Sequence, residues 1–379
     1  MTGQPLSHLR VLDLSRLQPG AFCTGVLADL GADVLRIEPP KGGDPVRMIP
    51  GAPAAYHRGK RAMTLDLKHP RAAEVLRRLV DEVDVVVESG LPASLRDQGI
   101  GYEQLAVDRP GLIWCAITAF GTGSPYADRA AHDITFLGYS GLMALMAGDA
   151  VPPTPDFVLA VPFGALIGVV GILAALTARD RTGEGRFVDA SIADAATWVI
   201  GEAVARVAAG GQAGWGQSAN RRAYRAGDGR LITVAAAEPR TWGALCDALE
   251  RPDLVERLGA GPEGQDALAD ELAAIFATRP AAEWVERLPA AAAVGPVNEV
   301  SDLLDDAHVQ ARGAIVELTG VGAGTRALRS PVRLRGADGT EAPFAAGPPP
   351  GLGEHTDTAL AAAGFTPDEI AALHDDGVV

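Results

Sequence analysis

Short apolar runs alternate with helix-period stretches along the first half of the chain. Residues 10–14 (RVLDL), 33–38 (DVLRIE), 84–88 (DVVVE) and 112–119 (LIWCAITA) are rich in Val, Leu and Ile, as strands buried on both faces are. Between them, residues 20–30 and 70–83 carry the spacing of helices. Strand–helix alternation of this kind predicts an α/β fold with a parallel sheet covered on both sides. The segment Leu17-Gln18-Pro19-Gly20 falls at the first strand-to-helix crossover. Open parallel sheets bind ligands at such crossovers, and helix N-termini favour anions. It is not a Gly-x-Gly-x-x-Gly fingerprint, so a nicotinamide cofactor is not supported.

The pattern changes further on. A helix is predicted over 132–146, then a proline-rich loop over 151–156, then a charge-free run over 159–178. That run is long enough to cross a bilayer. Pro162, Gly164, Gly168 and Gly171 interrupt it and its surroundings read as an α/β chain, so it is assigned to a buried helix rather than a membrane span. A polar turn (180–185), a strand (186–192) and a helix (193–209) follow, and then a glycine-rich linker over 210–216. Residues 223–225 and 231–236 flank Gly227-Asp228-Gly229, a hairpin signal, and Ala/Leu-rich helices continue to 288. Near the C-terminus Thr366, Pro367 and Glu369 spell a capped helix start. The division that follows is a large α/β domain over 1–209, a linker over 210–222, a smaller α+β domain over 223–325, and a return to the large domain over 326–379.

Composition narrows the chemistry. The 379 residues are 47% hydrophobic with a formal net charge of −15. So acidic a chain is a poor match for nucleic acid or an anionic membrane surface. Any polyanionic ligand has to be met by cations focused at one site. Cys23, Cys115 and Cys246 are too widely spaced for a metal or redox motif and read as small buried hydrophobes in a reducing compartment. The first fifteen residues lack a basic segment followed by an apolar one, which sets a cytoplasmic expectation. The seven histidines are scattered without zinc-type spacing, so no metal is expected.

Six stretches, in order, carry a resemblance: LSHLRVLDLS (6–15), LADLGADVLRIEPPKGGDPVR (27–47), RGKRAMTLDLK (58–68), ITAFGTGSPYADRAAHD (117–133), VGILAALTARDRTGEG (170–185) and LGEHTDTAL (352–360). Together they resemble the family III CoA-transferases, the CaiB/BaiF superfamily. AAHDITFLGYSGLM (130–143) is similar to the α-methylacyl-CoA racemase branch, in which a His–Asp pair opens this helix. The resemblance implies a Rossmann-like large domain built from both chain ends and a small domain between them. It also implies an interlocked homodimer, with the active site where one subunit's large domain meets the other's small domain. The implied substrate is a CoA thioester, with no permanently bound cofactor.

By the same resemblance His132 is the base that removes an α-proton, a role suited to a group titrating near neutrality. Asp133 either orients His132 or bonds to backbone, and Glu238 holds the imidazole in the right tautomer. The aspartate that family members carry before the long apolar helix falls on Val161 or Pro162, and Asp156 lies too early in the chain. Without that nucleophile conventional CoA transfer has no carboxylate to attack the thioester. Leu17 and Gln18 match the loop that touches adenine, and Lys68 matches a lysine near CoA. Pro39 stands where an arginine is usual, Leu91-Pro92-Ala93 replaces an arginine-proline-glycine element, and Asp97, beside Arg96, replaces another arginine. Arg58, Lys60, Arg61 and Arg129 are candidates to make up the lost phosphate contacts. His57 replaces a usual asparagine. Three functions remain open: an acyl-CoA racemase or epimerase, a repurposed one-base isomerase or cyclase acting on a substrate without CoA, and a non-catalytic subunit paired with an active paralogue.

Overall fold

A computed structural model describes residues 4–91, 93–147, 151–214, 216, 218–322, 324–344 and 347–379. The chain divides into two compact units. The first joins Met1–Ala209 to Arg312–Val379 and the second is Gly210–Ala311.

The first unit is built on six parallel strands, β1 (Arg10–Asp13), β2 (Asp33–Glu38), β3 (Arg61–Thr64), β4 (Val85–Glu88), β5 (Ile113–Thr118) and β6 (Phe187–Ser191), in the order β3-β2-β1-β4-β5-β6. The chain winds outward from β1 in one direction and from β4 in the other. A topological switch point therefore lies beyond the C-terminal ends of β1 and β4. β3 is the strand the hydrophobic pattern does not reveal, because RAMT has no run of Val, Leu or Ile to register.

One face of the sheet is covered by α1 (Leu17–Asp29) and, further along the chain, by α4 (Ala160–Thr182) and α5 (Ile192–Val199). The other face is covered by α2 (Ala72–Val80) together with the C-terminal helices Thr356–Ala362 and Pro367–Asp375. Thr366 caps the last of these, accepting the Glu369 N–H at 3.3 Å while Glu369 accepts the Thr366 N–H at 2.7 Å. α4 is long and apolar enough to span a membrane. Here its small residues press it onto the sheet: a Cβ on Gly164 would lie 3.0 Å from the Ile192 Cα, and one on Gly171 2.4 Å from a Val188 methyl. The helix read over 132–146 is broken in two. Gly141 ends α3 (Asp133–Ser140) in a left-handed conformation with φ 86°, and Leu142–Ala147 follows as a separate turn of helix.

The second unit is a three-stranded antiparallel sheet, β7 (Arg221–Arg225), β8 (Leu231–Ala235) and β9 (Val294–Pro296), packed with helices that include α6 (Pro239–Ala248) and α7 (Pro262–Phe276). Tyr224, Trp242, Phe276 and Trp284 fill its core. Residues 210–222, read from sequence as a linker, lie inside this unit. Asn220 donates to the Ala236 carbonyl at 2.9 Å and Gln265 accepts the Ala219 N–H at 2.9 Å. The return to the first unit comes at Arg312, earlier than the position 326 read from sequence. The hairpin Ile315–Glu317 and Arg326–Leu328 packs Leu318 and Ala327 against Ala54, and the Ser330 N–H bonds Asp29.

Candidate active site

The C-terminal ends of β1 and β2 and the residue that enters β3 share a buried network of charge. Asp13, Arg36, Glu38, Asp44 and Lys60 are all buried. The Asp13 carboxylate accepts from Thr24 (2.6 Å), Arg36 (3.0 Å) and Lys60 (3.4 Å), and Lys60 also donates to Thr24 (2.6 Å) and the Ala21 carbonyl (3.0 Å). Burial would raise the Asp13 carboxyl, but Arg36 and then Lys60 outweigh it and hold it well below the usual carboxylate range. Burial pulls the Lys60 ammonium down to about 8, with Asp13 opposing. Arg58 is likewise turned inward, paired with Asp29, and Arg61 makes a two-pronged pair with Asp33 at 2.8 Å. Arg58 and Lys60, candidates from sequence for binding phosphate, therefore serve internal carboxylates. An extended arginine or lysine and a buried one look alike in sequence, and only the fold shows which carboxylate each meets.

Above this network lies a cleft of about 510 Å³. Its walls come from the segments that leave β1 (Leu14, Arg16), β2 (Pro39, Lys41), β3 (Leu65, Lys68) and β4 (Gly90). Lys68 lines this cleft. Leu17 and Gln18 frame the neighbouring turn: the Leu17 N–H donates to Asp44 at 2.9 Å, and Gln18 donates to the Tyr56 hydroxyl at 2.8 Å. Leu17 takes a left-handed φ of 59° and is 44% exposed, a conformation that costs a non-glycine residue about 1–2 kcal/mol. Strain of this kind, held in place by a buried carboxylate, is characteristic of ligand-binding turns. Arg16 and Lys41 were missed from sequence. One signal was available: the chain has three lysines, one is buried, and the other two line this cleft. Pro92, within the replaced arginine-proline-glycine element, lies outside the described residues.

His132 is the exposed residue immediately before α3. Its carbonyl accepts the Thr135 N–H at 2.8 Å, and its N–H meets the Thr135 hydroxyl at 3.4 Å. Asp133 takes the backbone option: its two oxygens accept the N–H groups of Leu159 and Val161, each at 2.9 Å. A carboxylate there caps the start of α4 and complements its dipole. The same bonds fix the segment carrying His132 relative to positions 161 and 162. Val161 is 8% exposed and belongs to the core, whereas Pro162 is half-buried, and Asp156 is exposed in the preceding loop. α3, which His132 precedes, contributes Phe136 and Tyr139 to a cluster of edge-on and tilted rings with Phe120 and Tyr126, with centroids 5.2–5.7 Å apart. Arg129 lies 4.6 Å over Tyr126 and donates to the Tyr139 hydroxyl at 3.0 Å. Glu238 belongs to the second unit, where it precedes α6 and its carboxylate accepts from Thr241 at 3.1 Å.

The sheet is doubly wound, and cations line a cleft beyond its strand ends, the place where open α/β sheets bind ligands. Residues 6–356 match the CoA-transferase family III, and the chain belongs to that family. It is 32% identical over 349 residues to a succinyl-CoA:mesaconate CoA-transferase of Haloarcula hispanica, covering 84% of this chain and 86% of the relative. It is 29% identical over 391 residues to the alpha-methylacyl-CoA racemase of Mus musculus, covering 99% and 97%. Its fold is similar to that of a CaiB/BaiF family protein from Brucella suis, with a TM-score of 0.82 at 30% identity, covering 95% of this chain and all of the other.

Proposed function

We propose that this protein is an acyl-CoA enzyme of the racemase type, in which His132 exchanges the α-proton of a bound thioester. The observation that carries this reading is the exposed His132 at the head of α3, which the Asp133 bonds tie to the start of α4; Val161 and Pro162, at the place of the aspartate that transferases and racemases both carry, leave His132 as the base on that side. A thioester carbonyl acidifies the adjacent C–H. Neutral imidazole takes that proton, and the electron pair moves onto the carbonyl oxygen to give an enolate. Asp133 already holds the Leu159 and Val161 amides, so enolate stabilisation falls to other donors. Imidazolium then returns a proton to the α-carbon.

With one base, removal and return occur on the same face, so solvent exchange runs with retention. Inversion needs a second acid on the opposite face. The cleft supplies the CoA end of the ligand with Arg16, Lys41 and Lys68. The same reading includes an interlocked homodimer in the cytoplasm, and the exposed Leu166, Val170, Trp198 and Val204 give a second copy an apolar surface to cover. The test is to incubate a 2-methylacyl-CoA with the protein in D₂O and follow deuterium at Cα by mass spectrometry. Exchange is expected, reduced by about 10²-fold or more in His132→Asn. No exchange in the wild type, or equal exchange in the variant, would overturn the assignment. Inverted product would reveal a second base.

A further inference from the structure

We infer that Arg16 and Lys41 are this chain's own phosphate-binding residues, taking up with Lys68 the recognition that a side chain at Pro39 cannot give. The inference rests on the acyl-CoA reading for the identity of the ligand, but the anion site stands on its own geometry. Three cations converge on one cleft from three successive strand ends, in a chain whose net charge is −15. All three are exposed, and among the described residues none has a carboxylate partner for its charged head. The remaining lysine and the buried arginines of this unit are paired with Asp13, Asp29 and Asp44.

The acidic groups on the cleft wall do not cancel this charge. Glu38 is held by Arg47, whose Nε lies 2.9 and 3.0 Å from its two oxygens. Asp66 accepts the Lys68 N–H at 3.0 Å and, with Glu38 held by Arg47, is the one carboxylate without a cationic partner among the described residues that line the cleft. Net positive charge therefore remains. The mount for Lys41 is rigid where it needs to be. Gly42 and Gly43 turn the chain with φ 81° and 67°, and Asp44 then anchors it through Arg36 at 2.6 Å and through the Leu17 N–H. The loop carrying Lys41 and the turn carrying Arg16 are thus bolted to the same carboxylate.

Leu14, Ile37, Pro39 and Leu65 make the rest of the wall apolar. A ligand that fits such a cleft joins a flat, weakly polar group to two or more phosphates, as a nucleoside diphosphate does. With proline at 39, the phosphate contact has moved two residues along to Lys41 and across to Arg16.

The experiment is titration calorimetry of CoA, ADP and pantetheine on the whole protein and on Lys41→Gln and Arg16→Gln, with a thermal melt to confirm that each variant is folded. The inference expects each variant to weaken CoA and ADP by about 5–10-fold, with pantetheine unchanged and a shallower salt dependence. Wild type that binds CoA while both variants bind it equally well would overturn this inference and leave the acyl-CoA reading standing. Wild type that binds ADP in a Lys41-dependent way but not CoA would uphold the phosphate site and overturn the acyl-CoA reading. Wild type that binds neither ligand overturns both.

Discussion

His57 gives the fold a built-in sensitivity to acid. It follows the short helix Ala52–Tyr56, is 0% exposed, and neither ring nitrogen has a hydrogen-bond partner. Burial first, then the charges of Lys60 and Arg36, hold its pKa far below the ordinary value. The folded protein therefore keeps this imidazole neutral, while the unfolded chain takes up a proton near pH 6.5. The stability this group contributes is intact above about pH 6.5 and falls as the pH is lowered, by about 1.4 kcal/mol per pH unit. Between about pH 6.5 and 5 the loss is about 2 kcal/mol. Asparagine at 57 does not titrate, so His57→Asn removes that slope whatever its effect at neutral pH. Urea unfolding of both proteins at several pH values is the assay. The difference in their stabilities should shift by about 2 kcal/mol in favour of the variant on going from pH 6.5 to 5. Comparing the two cancels the other histidines. Parallel curves over that window would refute the reasoning.

Lys60→Met should destabilise the first unit by about 3 kcal/mol, because it strips one partner from buried Asp13, yet leave the CoA affinity of the folded protein unchanged. It should also abolish a gain in wild-type stability between about pH 8 and 10, where the folded protein has released the Lys60 proton and the unfolded chain still holds it. Val161→Asp puts a carboxylate into the core beside Asp133 and should cost several kcal/mol, on the order of a buried unpaired charge. Pro162→Asp opens outward from the first turn of α4, where the helix dipole favours it, and should melt close to the wild type. The reverse order of melting temperatures would refute this assignment of Val161 to the core and Pro162 to the outer side.

The strands that sequence revealed are those with runs of Val, Leu and Ile buried on both faces, β2 and β5 above all. β3 escaped because RAMT contains no Val, Leu or Ile, whereas β1, equally short and also with an arginine, carries Val11 and Leu12. Gly141 hid a helix break, since a glycine inside an apolar pattern looks the same whether it is helical or left-handed. At the site, motif position singled out Lys68, which lines the cleft, and set His132 at its helix start. It said nothing about direction, so Lys60, two residues from Arg58 and adjacent to Arg61, looked as available as either. Which cation reaches solvent depends on contacts with Asp13 and Asp29, which are 47 and 29 residues away from Lys60 and Arg58. Asp133 is a similar case. Its bonds to Leu159 and Val161 cross 26 and 28 residues and leave no local trace in the sequence.

The last turn of the chain closes the first. Leu373 and Val378 are fully buried against the sheet, the Asp66 N–H bonds the Val378 carbonyl at 2.8 Å, and Gly377 forms part of the cleft wall. A nascent chain emerging from the ribosome thus makes β1 to β6 and the whole second unit before it can finish the first. At about 5–20 residues per second, residues 312–379 take several seconds more to be synthesised. During that wait the part of one sheet face that the C-terminal helices cover, beside α2, stands open while the inserted unit is already complete. Slowing translation across those residues would lengthen the exposure, and the yield of soluble protein should then depend on chaperones that hold apolar strands.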